Sequence, residues 1–317
     1  MRLIDIYNLA IKKGIDKDPR SAVVIQKAVS GKKKEYRKLK GVDKSSYDTE
    51  RLRNPYADTR ILFGDPSKDI KTIMVGIDME SNELLAADRL NERGAGVDLV
   101  MAHHPEGIAW STLYDVMHMQ ADILEKFGIP VEVAEDQMKD RIGEVSRSLS
   151  PSNHFRSVDM ARLLNMPFMC VHTPADNHVQ DYLQRLFDRK KPKKLSEVMS
   201  ILKAIPEYVD GLKKNAGPKI LIGEPDKPAG KIFIDMTGGT EGSKRIFARL
   251  SQAGVGTIVA MHLGEEHYKN AKTEHINVVI AGHIASDNLG LNLLLDEIEK
   301  KEKFNIIPTS GFIRVRR

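Results

Sequence analysis

Two histidines stand side by side at the end of an apolar run, Val97-Asp98-Leu99-Val100-Met101-Ala102-His103-His104-Pro105. Imidazole is a ligand for zinc, iron, copper and nickel, so two rings delivered together to a strand's carboxyl end point to metal chemistry. Adjacent side chains on a strand face opposite ways. Both rings therefore reach one place only where the strand ends and the backbone turns, as Pro105 marks, and splayed in this way they suit two ions, one each. The plainer reading is one buried structural histidine and one exposed. A second segment adds weight: in Gly282-His283-Ile284-Ala285-Ser286-Asp287, His283 and Asp287 stand four residues apart, a spacing that shares one helix face. Here a capping role for Ser286 or Asp287, ahead of a helix over 288–299, is the simple alternative. A third strand, around Met169-Cys170-Val171, ends in His172, with Asp176 in the loop beyond. Carboxylates bridge paired cations, and cations about 3.5–4 Å apart clamp and activate water. Cys170 reads as core packing.

Gly238-Gly239-Thr240-Glu241-Gly242-Ser243-Lys244 lies between a strand pattern and a helix pattern. Backbone N–H groups in such a turn could hold an anion, and a tight turn without ligand is the alternative. It is not a P-loop, because Gly238 and Gly242 are one residue too close and Ser243 precedes Lys244. A Gly-x-Ser-x-Gly elbow is absent, which argues against a serine hydrolase, and a Cys-x-x-Cys pair is absent, which argues against structural zinc. Trp110 reads as a packing residue, and Glu106 could shape a pocket.

The elements that must position these groups alternate. Residues 73–78 and 99–102 are continuous apolar runs, the pattern of buried parallel strands, and 83–94 between them has helical spacing with Gly94 as a stop. A helix over 117–128 and a strand over 129–133 are expected next. The second half repeats the first: residues 231–236 echo 74–79, 243–254 again forms a helix ending in glycine, and 257–262 echoes 98–103. This rhythm predicts an α/β fold made of two similar α/β domains, an internal pseudo-repeat, facing a shared cleft. The expected division is a partly helical extension over 1–54, a first domain over 55–190, a connecting segment over 191–230 and a second domain over 231–317. Within the extension, 3–11 reads as a short amphipathic helix.

With 317 residues, 41% apolar and 29% charged, the composition is that of an ordinary globular chain of two domains. Apolar runs are too short to span a bilayer, the N-terminus lacks a signal-peptide core, and the single Cys170 fits a reducing compartment, so the expected setting is cytoplasmic with no membrane partner. The net charge of +5 is uneven: residues 1–44 carry 13 Lys and Arg against 5 Asp and Glu, leaving the rest of the chain at −3. Clustered cations could attract nucleic acid, and a solvated helix face is the simpler account.

Taken together, these segments resemble the Nif-three-like family, whose members are often labelled GTP cyclohydrolase I type 2 homologues. The resemblance runs from about Asp58 to Glu299. It rests on Ala57-Asp58-Thr59-Arg60-Ile61-Leu62-Phe63-Gly64-Asp65, on His103-His104-Pro105, on His172-Thr173-Pro174-Ala175-Asp176, on the glycine-rich turn 238–242, on Gly264-Glu265 and on Gly282-His283-Ile284-Ala285-Ser286-Asp287. It implies a dinuclear metal site with His103, His104, Asp176, His283 and Asp287 as ligands and Asp176 bridging. It also implies a ring-shaped homohexamer and a metal-dependent hydrolase acting on a nucleotide or another phosphorylated small molecule. Zinc, manganese, iron or nickel would suit the two divalent ions. On that reading His172 or Glu265 orients water or moves a proton, and Gly238, Gly239, Gly242, Lys244 and His262 hold substrate. The alternative is a non-catalytic metal-binding scaffold for protein or nucleic acid. The chain departs from the family pattern at Asp287, one methylene shorter than the usual Glu, at Glu106-Gly107 in place of apolar residues, and at His262.

Overall fold

The structure is a computed structural model and describes all residues, 1–317. Two sheets carry the fold. The first contains β1 (Arg60–Phe63), β2 (Thr72–Gly76), β3 (Leu99–Ala102), β4 (Phe168–Cys170) and a last strand from the far end of the chain. The second contains β5 (Lys219–Ile222), β6 (Lys231–Asp235), β7 (Val255–Ala260) and β8 (Asn277–Ile280), and the strand that returns to the first sheet is β9 (Asn305–Pro308). The orders are β1-β4-β3-β2-β9 and β5-β8-β7-β6. In each sheet the first strand is antiparallel to the last of the following three, and those three run parallel. The repeated sequence pattern is thus a repeated topology, two similar α/β domains. The exchange between them is less simple than one boundary: the second sheet begins at Lys219, before the expected start of its domain, and β9 rejoins the first sheet beside β2.

Two long helices, Thr173–Lys190 and His283–Glu299, follow β4 and β8. Leu291, Leu294, Leu295 and Ile298 pack with Ile73, Val75, Leu99 and Met101 of the first sheet. Ala285 and Leu289 pack with Ile234, Val259 and Val279 of the second, together with Val179, Leu183 and Phe187 of the partner helix. The helices therefore lie between the sheets, which is why His283–Glu299 is buried on most sides, its polar Ser286, Asp287, Asn288 and Asn292 included. Their approach is close: a Cβ on Gly290 would lie 2.5 Å from the carbonyl oxygen of Ala175. Any side chain there would push apart the two backbones that carry Asp176 and Asp287.

Several sequence expectations change. The expected strand at 129–133 is instead the entry to a helix, Val131–Leu149. Pro130 sets its start, and Ala134, Met138, Ile142, Val145 and Leu149 recur at helical spacing, which the β-branched Val131 and Val133 mask. The expected helix over 117–128 is broken into Leu113–Val116 and Met119–Glu125, and that over 243–254 shrinks to Ile246–Gln252. The first helix runs on to Lys17, and the charged region beyond it forms a second, Ala22–Lys38. The helix expected from Asn288 begins at His283, so Ser286 is no cap: its hydroxyl donates to the Gly282 carbonyl at 2.7 Å inside the first turn. No helix is long and apolar enough to cross a membrane.

Candidate metal centre

Parallel strands that end in step deliver their next residues to one edge. Gly76 pairs with Ala102 and Ala102 with Cys170, so His103, His104 and His172 all emerge from the same edge of the first sheet. Gly282, at φ +109°, turns β8 into the second inter-sheet helix and places His283 in its first turn. The two helices then bring Asp176 and Asp287 to the same point from opposite domains.

The distances define the arrangement. His103 Nε2 lies 3.4 Å from Asp176 Oδ1 and 3.4 Å from Asp287 Oδ1. His104 Nε2 lies 3.4 Å from Asp287 Oδ2, and His283 Nε2 lies 3.7 Å from the same oxygen. His172 Nε2 is 3.7 Å from Asp176 Oδ2. All five residues expected as ligands converge, and His172 joins them. Asp287, rather than Asp176, is the carboxylate that faces both halves of the cluster. Gly290, one turn on, lets the helix carrying Asp287 lie against the Ala175 carbonyl beside Asp176.

Four atoms at the centre, His103 Nε2, Asp176 Oδ1 and both oxygens of Asp287, are buried and make no hydrogen bond. Unpaired buried polar atoms are rare because each costs about 1–3 kcal/mol. A cation would satisfy all four at once. Two ligands about 2.1 Å from one ion at a tetrahedral angle stand about 3.4 Å apart, so the observed donor spacing is that of ligands sharing an ion rather than of hydrogen-bonded pairs. The donor set of imidazoles and carboxylates fits a divalent first-row metal.

Three of the four inward-pointing rings are held from behind. His103 Nδ1 donates to the Val171 carbonyl at 3.1 Å, His104 Nδ1 to Asp78 at 2.6 Å and His172 Nδ1 to Asp58 at 2.8 Å. Protonating Nδ1 leaves the Nε2 lone pair free for a ligand bond. Charges reinforce this. Burial alone would push His103 down, but Asp287 and Asp176 outweigh it and hold it well above the usual range. Burial likewise opposes charge on His104, yet Asp287 and Asp78 raise it to about 9. Burial works against the Asp287 carboxylate too, and His103, His104 and His283 still keep it well below the ordinary range. Protons and a cation compete for the same lone pairs here.

Asp58 and Asp78 carry no role in the sequence reading, although Asp58 opens the resemblance segment and Asp78 ends the first apolar run. Asp58 is fully buried, and besides His172 it accepts the Thr173 hydroxyl at 2.6 Å. Asp58→Asn should weaken metal binding about 10–100-fold by loosening the His172 tautomer. Competition with a metal-sensitive chelator measures this, and an unchanged affinity would show that His172 needs no such support.

The centre opens into a cavity of about 640 Å³. His104, His172, His262, His283, Gly239 and Trp110 are among its walls. His262 rests on His283, ring centroids 4.9 Å apart, with Nδ1 3.4 Å from Glu241 Oε1. A hydrogen bond from His262 and the charge of His267 lower Glu241 to about 2 against its partial burial. The glycine-rich turn enters the site only in part. Gly238 and Gly239 have φ of +102° and +89°, and the carbonyls of Gly238 and Thr240 are bound by the Gln120 amide. Gly242 lines a separate small pocket. Lys244 is exposed and paired with Glu266 at 3.6 Å, and Glu265 is exposed beside Lys269 at 3.7 Å. Neither lines the cavity, because both side chains project from the outer surface around the Glu265–Thr273 helix.

No family model matches the chain, and no curated protein matches it. Among solved structures, it is similar to a NIF3 superfamily protein from Sphaerobacter thermophilus, with 28% identity, a TM-score of 0.67, and coverage of 81% of this chain and 92% of that one. Reduced HcgD from Methanocaldococcus jannaschii also matches, with 15% identity, a TM-score of 0.48, and coverage of 78% and 87%.

Proposed function

Since this chain belongs to the NIF3 superfamily, we propose that it binds two divalent cations and hydrolyses a phosphorylated small molecule, such as a nucleotide. The observation that carries this reading is the set of buried, unpaired oxygen and nitrogen atoms spaced as ligands at the floor of a cavity. These residues would hold a pair of cations, and the chemistry supplied would be Lewis acidity toward water and a phosphoryl oxygen. His103, His172 and Asp176 would hold one cation, His104 and His283 the other, and Asp287 would serve both. His172 is thereby reassigned from proton transfer to ligation. Zinc, manganese, iron and nickel all suit these donors.

The remaining residues orient the substrate. His262, backed by Glu241, offers Nε2 to a phosphoryl oxygen at the cavity wall. Exposed Arg156 is the unpaired cation at the rim, where Arg141 is matched by Glu144 at 3.1 Å, and Trp110, Leu113 and Val145 give an apolar wall for the organic part. A cavity of this size suits a nucleotide-sized molecule. Glu265 and Lys244 have no part in this scheme. Assembly as a homo-oligomer, a hexamer by the family resemblance, and a cytoplasmic setting complete the proposal.

Turnover against a panel of nucleotides and simple phosphomonoesters, with the chain loaded in turn with each of the four metals, tests it. We expect phosphate release that His103→Ala abolishes. Full metal loading without release from any member of the panel would refute the hydrolase and favour a metal-binding scaffold.

A further inference from the structure

The cavity and metal centre leave one strongly charged element without a role: the Ala22–Lys38 helix. Six of its 17 residues are Lys or Arg, and Glu35 is its one acid. It lies on the protein by a narrow face. Ile25 is its one buried residue, and Val29, Lys32 and Tyr36 continue that face at helical spacing. Lys32 is tied to Asp115 at 2.9 Å, and Asp115 is also held by Arg51. Tyr36 packs against Tyr47 with the rings tilted at 47° and their centroids 5.2 Å apart.

At about 100° per residue, Lys27, Lys34, Arg37 and Lys38 fall on the side opposite Ile25. All four are exposed, and none has an acidic partner within ion-pairing distance. From Lys27 to Lys38 the stripe is about 16 Å long. One strand of a duplex presents a phosphate about every 3.4 Å over that length. The outward face holds no Trp, Phe or Leu to enter a bilayer, which an interfacial helix needs. The two tyrosines are packed against each other and present no open ring face for unpaired bases. Three of the four cations are lysines, point charges suited to phosphate oxygens, and phosphate contacts carry no sequence information.

We propose that this helix is a docking strip for the phosphate backbone of a double-stranded nucleic acid, bound without regard to sequence. It is independent of the metal centre and of whether that centre turns over substrate. Neutralising four phosphates gives a plot of log affinity against log salt with a slope of about −4.

The test uses the full chain and fluorescence anisotropy with two DNA duplexes of unrelated sequence and one RNA duplex over a range of salt. We expect similar affinities for the two DNA sequences and a slope near the value above. A variant carrying Lys27→Gln, Lys34→Gln and Lys38→Gln should reduce the slope by about three, with metal content unchanged as the check on folding. A matched variant at the end of the first inter-sheet helix and in the loop after it, Lys190→Gln, Lys191→Gln and Lys193→Gln, should leave binding unchanged. Equal loss in both variants, binding to phosphatidylserine vesicles but not to duplexes, or a fall in oligomer size in the helix variant in place of a binding defect would each overturn the assignment.

Discussion

Asp287→Ala should empty the metal centre of both ions while the protein stays folded. The carboxylate is buried, both its oxygens are free of hydrogen bonds, and it lies 3.4 Å from the inward nitrogens of His103 and His104. Removing it takes a donor from each position at once, and it also removes the charge that holds those rings in place. The loss should exceed the roughly 10–100-fold typical of residues behind the ligands. Asp176→Ala makes the contrast. Its oxygens face His103 and His172 alone, so one ion should go and one remain. Elemental analysis of each variant, purified without chelator, reads the difference directly. Two ions retained in Asp287→Ala, or equal loss in both variants, would mean that Asp287 does not join the two positions.

The second large effect concerns stability. Arg314 is nearly buried and donates to Asp296 at 2.5 Å and to Glu299 at 2.6 Å. Glu299 is buried at the end of the second inter-sheet helix. Burial raises the carboxyl of Glu299, but Arg316 and Arg314 bring it below its ordinary value. Arg314→Ala leaves that charge in the protein with only the exposed Arg316 to meet it. Breaking a buried pair from one side costs about 3–5 kcal/mol, far more than the pair's net worth. The midpoint of thermal unfolding should fall by on the order of 10 °C. Arg185→Ala, which removes an exposed pair with Asp181, should change stability by less than about 1 kcal/mol. If the two variants melt together, the tail carrying Arg314 is not an integral part of the first domain.

The sequence was informative where one local rule decides the outcome. The strand ending in His103 and His104, the repeat of that unit in the second half and the four-residue step from His283 to Asp287 each follow from periodicity. Convergence of those segments follows only from the family resemblance, and the structure supplies the physical reason: parallel strands ending in step, and Gly290 pressed on the Ala175 carbonyl. What could not be read depended on partners distant in sequence. Asp58 acquires its role only when β1 lies beside β4 and brings it to His172, more than a hundred residues away. Asp78 is likewise defined by His104. Glu265 matched a family motif by position, but the helix it starts points it to solvent, a matter of rotation that no residue type encodes. The misread strand at 129–133 has another cause, since β-branched residues in the first turn of a helix look like a strand until the next three turns are counted.

Anomalous scattering at the absorption edge of the bound metal, from crystals of the loaded protein, tests the central claim most directly. Two peaks are expected about 3.5–4 Å apart, one against His103, His172 and Asp176, the other against His104 and His283, with Asp287 between them. A single peak, or peaks that leave the buried oxygens of Asp287 without a ligand bond, would contradict it.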